Sequence, residues 1–149
     1  QPAALVIIDL DHFKQINDTY GHGMGDQVLK QAVAACRPRL GPRDVFGRLG
    51  GEEFAVLLPG CPGDQAMARA ERLRAAIGEL APIEDGALCV TASLGVALTS
   101  NVGYDVSELL VRADHALYRA KSEGRNRVVA AWAGTMPLRT AVGEARQPA

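Results

Sequence analysis

The stretch that most constrains the fold runs from Arg48 to Phe54 and reads RLGGEEF. Segments rich in β-forming residues flank its glycine pair, from Asp44 to Leu49 and from Glu53 to Leu58. Because glycine tolerates the positive φ angles of tight turns, the pattern predicts a β-hairpin with Glu52 and Glu53 at its tip. Adjacent carboxylates repel each other unless a cation or a donor compensates them, and hard oxygen ligands suit Mg²⁺. The hairpin therefore indicates a metal-dependent site.

The chain has 149 residues, of which 48% are hydrophobic, which suits one domain with a substantial core. Its net charge of -1 provides no broad basic face for a nucleic-acid polymer. Apolar runs such as Ala3 to Ile8 are too short to cross a bilayer, and no secretion signal opens the chain. The three cysteines, at 36, 61 and 89, lack the spacing of a disulfide framework or a zinc site. We expect a cytoplasmic segment without membrane contact.

Hydrophobic periodicity predicts the order strand, helices, hairpin, helix, strand, helix, strand. Beside the hairpin, the predicted elements are a buried strand from Ala3 that ends at Asp9, a helix from Phe13 to Tyr20 closed by Gly21, a helix capped by Asp26 that ends before Pro38, a helix capped by Asp64 that reaches Leu80, a strand from Leu88 to Leu98, a helix from Ser107 to near Gly124, and a strand around Val128 to Ala131. This order predicts an α+β fold of the ferredoxin-like or polymerase-palm type, with a βαββαβ core and flanking helices. We expect an antiparallel sheet with helices on one face, in which Asp9 and Glu52 meet across neighbouring strands.

Four ordered sequence blocks extend from residue 3 to about residue 130. Their defining residues are Asp9 to Asp18 with Gly21-His22 and Gly25-Asp26, Arg48 to Phe54, Ser93 to Ala97, and Ala113-Asp114 through Tyr118 with Ala120-Lys121 and Gly124-Arg125-Asn126. A single GGEEF run arises easily by chance, whereas four ordered blocks at this spacing are highly specific. In these blocks the chain resembles the GGDEF family of diguanylate cyclases, in the GGEEF variant.

The resemblance implies an enzyme that condenses two GTP molecules into cyclic di-GMP and releases two pyrophosphates. One GTP would bind to each subunit of an antiparallel homodimer. By the same resemblance, the carboxylates of Asp9 and Glu52 and the backbone carbonyl of Leu10 hold Mg²⁺ or Mn²⁺. Glu52 or Glu53 is the expected proton acceptor, and Glu53 otherwise supports the metal. Arg48 is assigned to phosphate or to transition-state charge across the dimer.

The resemblance also assigns the substrate contacts. Asn17 and Asp26 match the residues that read the guanine edge, whose N1 and N2 groups donate hydrogen bonds to a carboxylate. Adenine has an acceptor at N1, so this pairing disfavours ATP by roughly 2 to 5 kcal/mol. The residues implied to bind the phosphates are Lys14, Lys121, Arg125 and, through backbone N–H groups, His12 and Phe13.

Most of these residues also have an ordinary structural interpretation. Asp9 and Asp11 could merely begin a turn after a strand, and Asp26 could cap a helix. Lys121 and Arg125 near a helix end would favour the helix dipole without any ligand. Only the adjacent acids of the hairpin lack such an explanation, because they add nothing to folding beyond solubility.

Two departures from the family pattern qualify the resemblance. Many members carry an inhibitory product site with an R-x-x-D motif, but here Gly41 occupies the position of its arginine. Asp44 and Arg72 match two other residues of that site, and glycine cannot replace a guanidinium group, so we predict weak or absent product inhibition. The usual lead-in helix before the first strand is also missing. We interpret residues 1–132 as the catalytic domain and residues 133–149 as a flexible tail, in a longer protein with an upstream regulatory domain.

Two alternative functions remain open at this point. The chain could be a catalytically weak module that binds GTP or cyclic di-GMP and regulates a neighbouring domain. It could also be a related palm-type cyclase that forms a single-nucleotide product.

Overall fold

The computed structural model of the chain describes residues 2–80, 88–99 and 105–132. The strands are β1 (Ala3–Leu10), β2 (Val45–Gly50), β3 (Glu53–Pro59), β4 (Ala92–Leu98) and β5 (Val128–Ala130), and the helices are α1 (Phe13–Tyr20), α2 (His22–Cys36), α3 (Gly63–Gly78) and α4 (Val106–Ser122). A short 3-10 helix, Arg37–Arg39, follows α2. The order of elements agrees with the sequence prediction, while the predicted tail at 133–149 lies outside the described residues.

A five-stranded sheet in the order β2-β3-β1-β4-β5 forms the centre of the fold. β1 runs antiparallel to both of its neighbours, β3 and β4, and β2 pairs with β3 as the predicted hairpin. The α+β class with a palm-like core is confirmed. The predicted antiparallel pairing holds for β1, β2, β3 and β4 but not for β5, because α4 forms a crossover that brings β5 back parallel to β4.

Helices cover both faces of the sheet, whereas the sequence led us to expect one covered face. Val6, Ile8 and Leu10 of β1 pack with residues of α2 and α3, while Leu5 and Ile7 pack with residues of α4. All eight residues of β1 are buried, since a strand covered on both faces needs no polar alternation.

Two helices begin earlier than predicted. α2 starts at His22, behind Gly21, so Asp26 lies inside the helix and does not cap it. α3 starts at Gly63, and Asp64 lies in its first turn, where a negative charge favours the helix dipole. The periodicity located both helices, but it cannot say which nearby polar residue adopts the extended backbone of a cap. The carboxylate of Asp26 is therefore available for another role.

α4 has a cap that the sequence prediction missed. The Asp105 carboxylate accepts hydrogen bonds from the backbone N–H groups of Ser107 and Glu108, at 3.0 and 3.3 Å. The helix consequently begins at Val106.

Cys36, Cys61 and Cys89 all lie within the described residues and are free thiols. None of the described helices combines the length and apolarity that crossing a membrane requires.

Candidate active site

The end of β1 meets the tip of the hairpin. Asp9 lies opposite Glu53 of β3 in the antiparallel register. The next residue, Leu10, donates its backbone N–H to the carbonyl of Glu52 at 3.3 Å. The structure thus brings together the acids that the sequence pattern predicted to meet, and it fixes them through backbone pairing.

The hairpin turn is shifted by one residue from the prediction. Gly50 pairs with Glu53, so Gly51 and Glu52 form the turn, and Gly51 has the positive φ of 48° that such a turn needs. The Arg48 guanidinium donates from Nε and Nη2 to the carbonyl of Gly51, at 3.0 and 2.6 Å. Arg48 therefore stabilises the turn that carries Glu52. Its assignment to phosphate or transition-state charge stays a prediction.

Asp9 is the most buried acid of the site, with 1% of its surface exposed. Its pKa is raised to about 7, chiefly by burial and to a smaller extent by the nearby Glu52 and Glu53, while the Lys121 ammonium opposes the increase. Lys121 Nζ contacts Asp9 Oδ2 at 2.8 Å. Asp9 thus lies near two further carboxyl groups and contacts one lysine, an arrangement in which a divalent cation relieves the repulsion between the acids.

A second property of Asp9 also fits a metal ligand. Its other oxygen, Oδ1, is buried and has no hydrogen-bond partner in the described part of the chain. Within the same residues, no three His, Cys, Asp or Glu side chains form a ready-made metal cage. Mg²⁺ needs no such cage, since it commonly binds one or two carboxylates together with substrate phosphates and water. The residues present therefore fit a divalent cation shared with a phosphorylated substrate.

The loop between β1 and α1 presents backbone donors. His12 is left-handed, with φ 57° and ψ 30°, and Phe13 directly after it begins α1. Consecutive N–H groups in such a left-handed to helical transition form an anion-binding concavity. Lys14 pairs with Asp18 at 2.9 Å, but both side chains are largely exposed and such a pair is weak. Lys14 is therefore available to a phosphate.

Lys121 and Arg125 do not share a helix face, although they are four residues apart. α4 ends at Ser122, and Arg125 lies in the following turn, where its N–H donates to the carbonyl of Ala120 at 2.9 Å. Lys121 points to the end of β1, while the position of Arg125 depends on the conformation of this turn.

The two residues assigned to guanine lie on consecutive helices. Asn17 of α1 packs against Gly25 of α2, and its Oδ1 is buried without a hydrogen-bond partner among the described residues. The side chain of Asp26, the next residue of α2, is exposed. Buried polar atoms are usually paired, so an orphaned amide oxygen beside an exposed carboxylate fits a ligand with hydrogen-bond donors.

A cavity of about 320 Å³ lies between α2 and the hairpin, beyond Asp26 along the helix. Its lining residues are Leu29, Lys30, Val33, Arg37, Phe46, Gly47, Arg48 and Phe54. The volume and the mixed apolar and basic lining are typical of a site for a small ligand.

Asp44, which matches the aspartate of the family's inhibitory site, is bound by other residues of this chain. Asp44 forms an ion pair with Arg69 of α3 and accepts the N–H of Gly41 at 2.6 Å. Sequence reasoning singled out Arg72 and missed Arg69, because only the packing of α3 decides which arginine faces Asp44. Arg72 is exposed.

Sequence reasoning also missed Asp11, which it treated as a residue that begins a turn. Asp11 is 4% exposed, and its carboxylate accepts hydrogen bonds from Ser93 Oγ, Thr91 Oγ1 and the backbone N–H of Asn126. Asp11, Ser93 and Asn126 belong to three of the four family-like blocks. The presence of these residues in separate family-like blocks was the sequence signal that could have indicated a contact between them.

Comparison with known proteins gives a consistent result. The family model described as "Diguanylate cyclase, GGDEF domain" matches residues 1–127. The uncharacterized protein YhcK of Bacillus subtilis (strain 168) is 48% identical over 128 residues, which cover 84% of this chain and 35% of YhcK. The probable diguanylate cyclase DgcT of Escherichia coli (strain K12) is 42% identical over 131 residues, which cover 86% of this chain and 29% of DgcT. The chain thus spans about a third of the length of these curated relatives.

Solved structures share the fold. The active GGEEF domain of a diguanylate cyclase from Vibrio cholerae is 33% identical with a TM-score of 0.84, over 90% of this chain and 85% of that one. The GGDEF domain of DgcB from Caulobacter crescentus, in complex with c-di-GMP, is 34% identical with a TM-score of 0.80, over 87% and 78% of the two chains. From the family match, these relatives and the carboxylates at the end of β1, we conclude that the chain belongs to the GGDEF-domain family of diguanylate cyclases.

Proposed function

We propose that this protein is a diguanylate cyclase that condenses two GTP molecules into cyclic di-GMP, with one GTP on each subunit of an antiparallel homodimer. The observation that carries the proposal is the buried carboxylate of Asp9. One of its oxygens has no hydrogen-bond partner in the described part of the chain, Asp9 lies opposite Glu53 of the hairpin, and its other oxygen contacts Lys121. A purely structural acid would have its oxygens satisfied by protein donors.

Asp9, Glu52 and the carbonyl of Leu10 would hold Mg²⁺ or Mn²⁺. When bound, the ion neutralises charge on the phosphate oxygens and lowers the pKa of the attacking 3′-hydroxyl. Glu52 or Glu53 accepts the proton of that hydroxyl. Lys121 has a buried stem and an ammonium group at the end of β1, so it can exchange the Asp9 carboxylate for a phosphate oxygen without displacement of α4.

The remaining residues orient the nucleotide. The N–H groups of His12 and Phe13, together with Lys14 and Arg125, bind phosphate oxygens, and Arg48 contributes charge near the hairpin. The guanine edge is read by Asn17 and Asp26. Two observations support this assignment: the Oδ1 of Asn17 is buried without a hydrogen-bond partner among the described residues, and the nearby Asp26 is exposed.

The proposal is tested by chromatography of the nucleotides formed from GTP and Mg²⁺. We expect cyclic di-GMP and pyrophosphate, and no cyclic product when ATP replaces GTP. Glu52→Ala should lower the turnover at least about a hundredfold, the scale of removing a charge-stabilising group. The control is Glu79→Ala, which removes an exposed acid at the end of α3 and should leave turnover unchanged.

Two outcomes would contradict the proposal. Formation of a single-nucleotide cyclic product would indicate a different palm-type cyclase. Tight binding of GTP without turnover, in a preparation that is shown to be dimeric, would instead indicate a regulatory binding module.

We further propose that product inhibition through a separate site is weak or absent. Gly41 provides no guanidinium group, and Asp44 is already engaged by Arg69. A dinucleotide would have to displace that ion pair to use the carboxylate. Initial rates measured with added cyclic di-GMP should show at most competitive inhibition, and submicromolar noncompetitive inhibition would rule this proposal out.

A further inference from the structure

The turn between α4 and β5 has an unusual backbone. Gly124, Arg125 and Asn126 have φ angles of 125°, 65° and 48°. Two consecutive residues with side chains in the left-handed region cost conformational free energy, so the surroundings must hold them there. Within the chain, the N–H of Arg125 donates to the carbonyl of Ala120 at 2.9 Å. That bond leaves the following residue, Asn126, to be held by other elements.

Asp11 holds Asn126 from the sheet side. Its Oδ2 accepts the backbone N–H of Asn126 at 3.0 Å and the hydroxyl of Thr91 at 2.7 Å, while Oδ1 accepts the hydroxyl of Ser93 at 2.7 Å. The backbone N–H of Asp11 also donates to the carbonyl of Thr91 at 2.9 Å. Asp11 thus ties the turn to the ends of β1 and β4. A buried carboxylate with three donors is a rigid anchor.

Arg74 of α3 holds the same residue from the other side. Its Nη1 donates to the side-chain oxygen of Asn126 at 2.6 Å, and its Nε donates to Glu71 at 3.0 Å. Glu71 fixes the guanidinium from within α3. Asn126 is therefore held by two hydrogen bonds, one from its backbone N–H to Asp11 and one from Arg74 to its side-chain oxygen.

We propose that Asp11 and Arg74 are positioning residues, which hold the turn so that Arg125 faces the terminal phosphates of a bound nucleoside triphosphate. The inference rests on the proposed function, because that function gives Arg125 its ligand. The two aspartates near the end of β1, Asp9 and Asp11, then have different roles. Asp9 gives up its contact with Lys121 when a substrate binds, whereas Asp11 keeps all of its contacts and keeps Arg125 in place.

The test compares the affinities of two nucleotides in the presence of Mg²⁺. The probes are 3′-deoxy-GTP, which lacks the attacking hydroxyl, and 3′-deoxy-GMP, which lacks the terminal phosphates. For Asp11→Ala we expect about a tenfold loss of affinity for the triphosphate, the scale of one charge-assisted hydrogen bond, with less than a twofold change for the monophosphate. Arg74→Ala should show the same selective loss to a smaller extent, of about threefold.

A double-mutant cycle identifies the residue through which Asp11 acts. If Asp11 acts through Arg125, the Asp11→Ala/Arg125→Ala protein should bind the triphosphate about as well as Arg125→Ala alone. Losses that multiply would overturn the proposal, as would equal losses for the triphosphate and the monophosphate. Arg112→Ala is the matched control, because it removes an arginine that pairs only with Glu108 on α4 among the described residues. It should leave both affinities unchanged.

The test can be completed even if Asp11→Ala does not fold, and its outcome can be separated from a failure of the proposed function. The Arg74 side chain is partly exposed, with 22% of its surface accessible. Arg74→Ala leaves the hydrogen bonds of the buried Asp11 in place, so we expect it to provide a folded variant even if Asp11→Ala does not fold. If Arg74→Ala and the wild type had the same ratio of affinity for 3′-deoxy-GTP to affinity for 3′-deoxy-GMP, the proposal would be overturned. Failure of the proposed function looks different: the wild type would make no cyclic di-GMP, whatever the result of the affinity cycle.

Discussion

At the scale of single residues, the aspartates of this protein differ in role because they meet different donors. Asp105 caps a helix through its Oδ1, whereas Asp11 joins three segments and has both of its oxygens bound by protein hydrogens. Asp9 differs from both, because it combines deep burial, a contact with a lysine and an oxygen that has no hydrogen-bond partner among the described residues. The same side chain is thus structural where its acceptors are satisfied and a candidate ligand where they are not.

Asp44 should make the stability of the protein depend on acid pH. Partial burial pushes the pKa of Asp44 upward, but hydrogen bonds from Arg69 and Gly41 and the charge of Arg69 hold it below the ordinary value of 3.8. An acid whose folded-state pKa is lowered adds stability above its unfolded-state pKa and loses that contribution as the pH falls through the folded-state value. We expect the free energy of unfolding to fall as the pH drops below about 4, and to fall less in Asp44→Asn.

Urea unfolding at constant salt between about pH 5 and pH 3 measures this effect. Asp18→Asn is the control, because the pair of Asp18 with Lys14 is largely exposed and should contribute little. Identical pH slopes for the wild type and Asp44→Asn would show that the ion pair with Arg69 does not form in solution.

At the scale of elements, the distance between α4 and β4 sets the geometry of the site. Gly95 of β4 permits this distance, since a Cβ atom there would lie 2.2 Å from the carbonyl oxygen of Ala113 and 2.4 Å from the backbone nitrogen of Leu117. Both are backbone atoms of α4, so a side chain could be accommodated only by displacement of the helix. The same helix carries Lys121 to Asp9.

Gly95→Ala should therefore impair stability and activity together. We expect a loss of about 1 to 3 kcal/mol in the free energy of unfolding, the usual cost of overpacking, and a lower turnover because the position of Lys121 shifts. Urea unfolding and the cyclase assay measure the two effects. Gly78→Ala is the control, because a Cβ at Gly78 meets no atom within 4 Å and its φ is not positive. A Gly95→Ala protein with normal stability would disprove the close approach.

At the scale of the whole molecule, the proposed reaction needs two subunits. In that reaction each GTP would supply a 3′-hydroxyl for the α-phosphorus of the other, so two nucleotide sites would have to face each other. By the proposed assignment, the acids and cations of one subunit bind a single nucleotide. The chain spans about a third of the length of its curated relatives.

The dimer requirement predicts how the rate depends on protein concentration. In dilute solution, where dimers are scarce, the rate of cyclic di-GMP formation should rise with about the second power of the protein concentration. It should become proportional to concentration once dimers predominate. The measurement is the initial rate over a dilution series at saturating GTP, with sedimentation giving the dimer fraction. Strict proportionality through a range in which the protein is monomeric would contradict the mechanism.

The sequence by itself determined the local elements, the fold class and the family. Periodicity depends on neighbouring residues, so it located β1, the hairpin and the four main helices, and the ordered blocks alone indicated the GGDEF family. The sequence prediction misplaced the starts of α2 and α3. Aspartate is a common capping residue, but only the path of the backbone decides whether Asp26 and Asp64 act as caps.

Tertiary structure alone decided the parallel pairing of β5, the coverage of both sheet faces, and the partners of the buried charges. Arg69 rather than Arg72 meets Asp44, and Asp11 meets Ser93 and Asn126 across more than 80 positions of sequence. Such contacts depend on how separate elements pack. Packing is a property of the whole chain, since each long-range contact forms only when the elements between its partners are already in place.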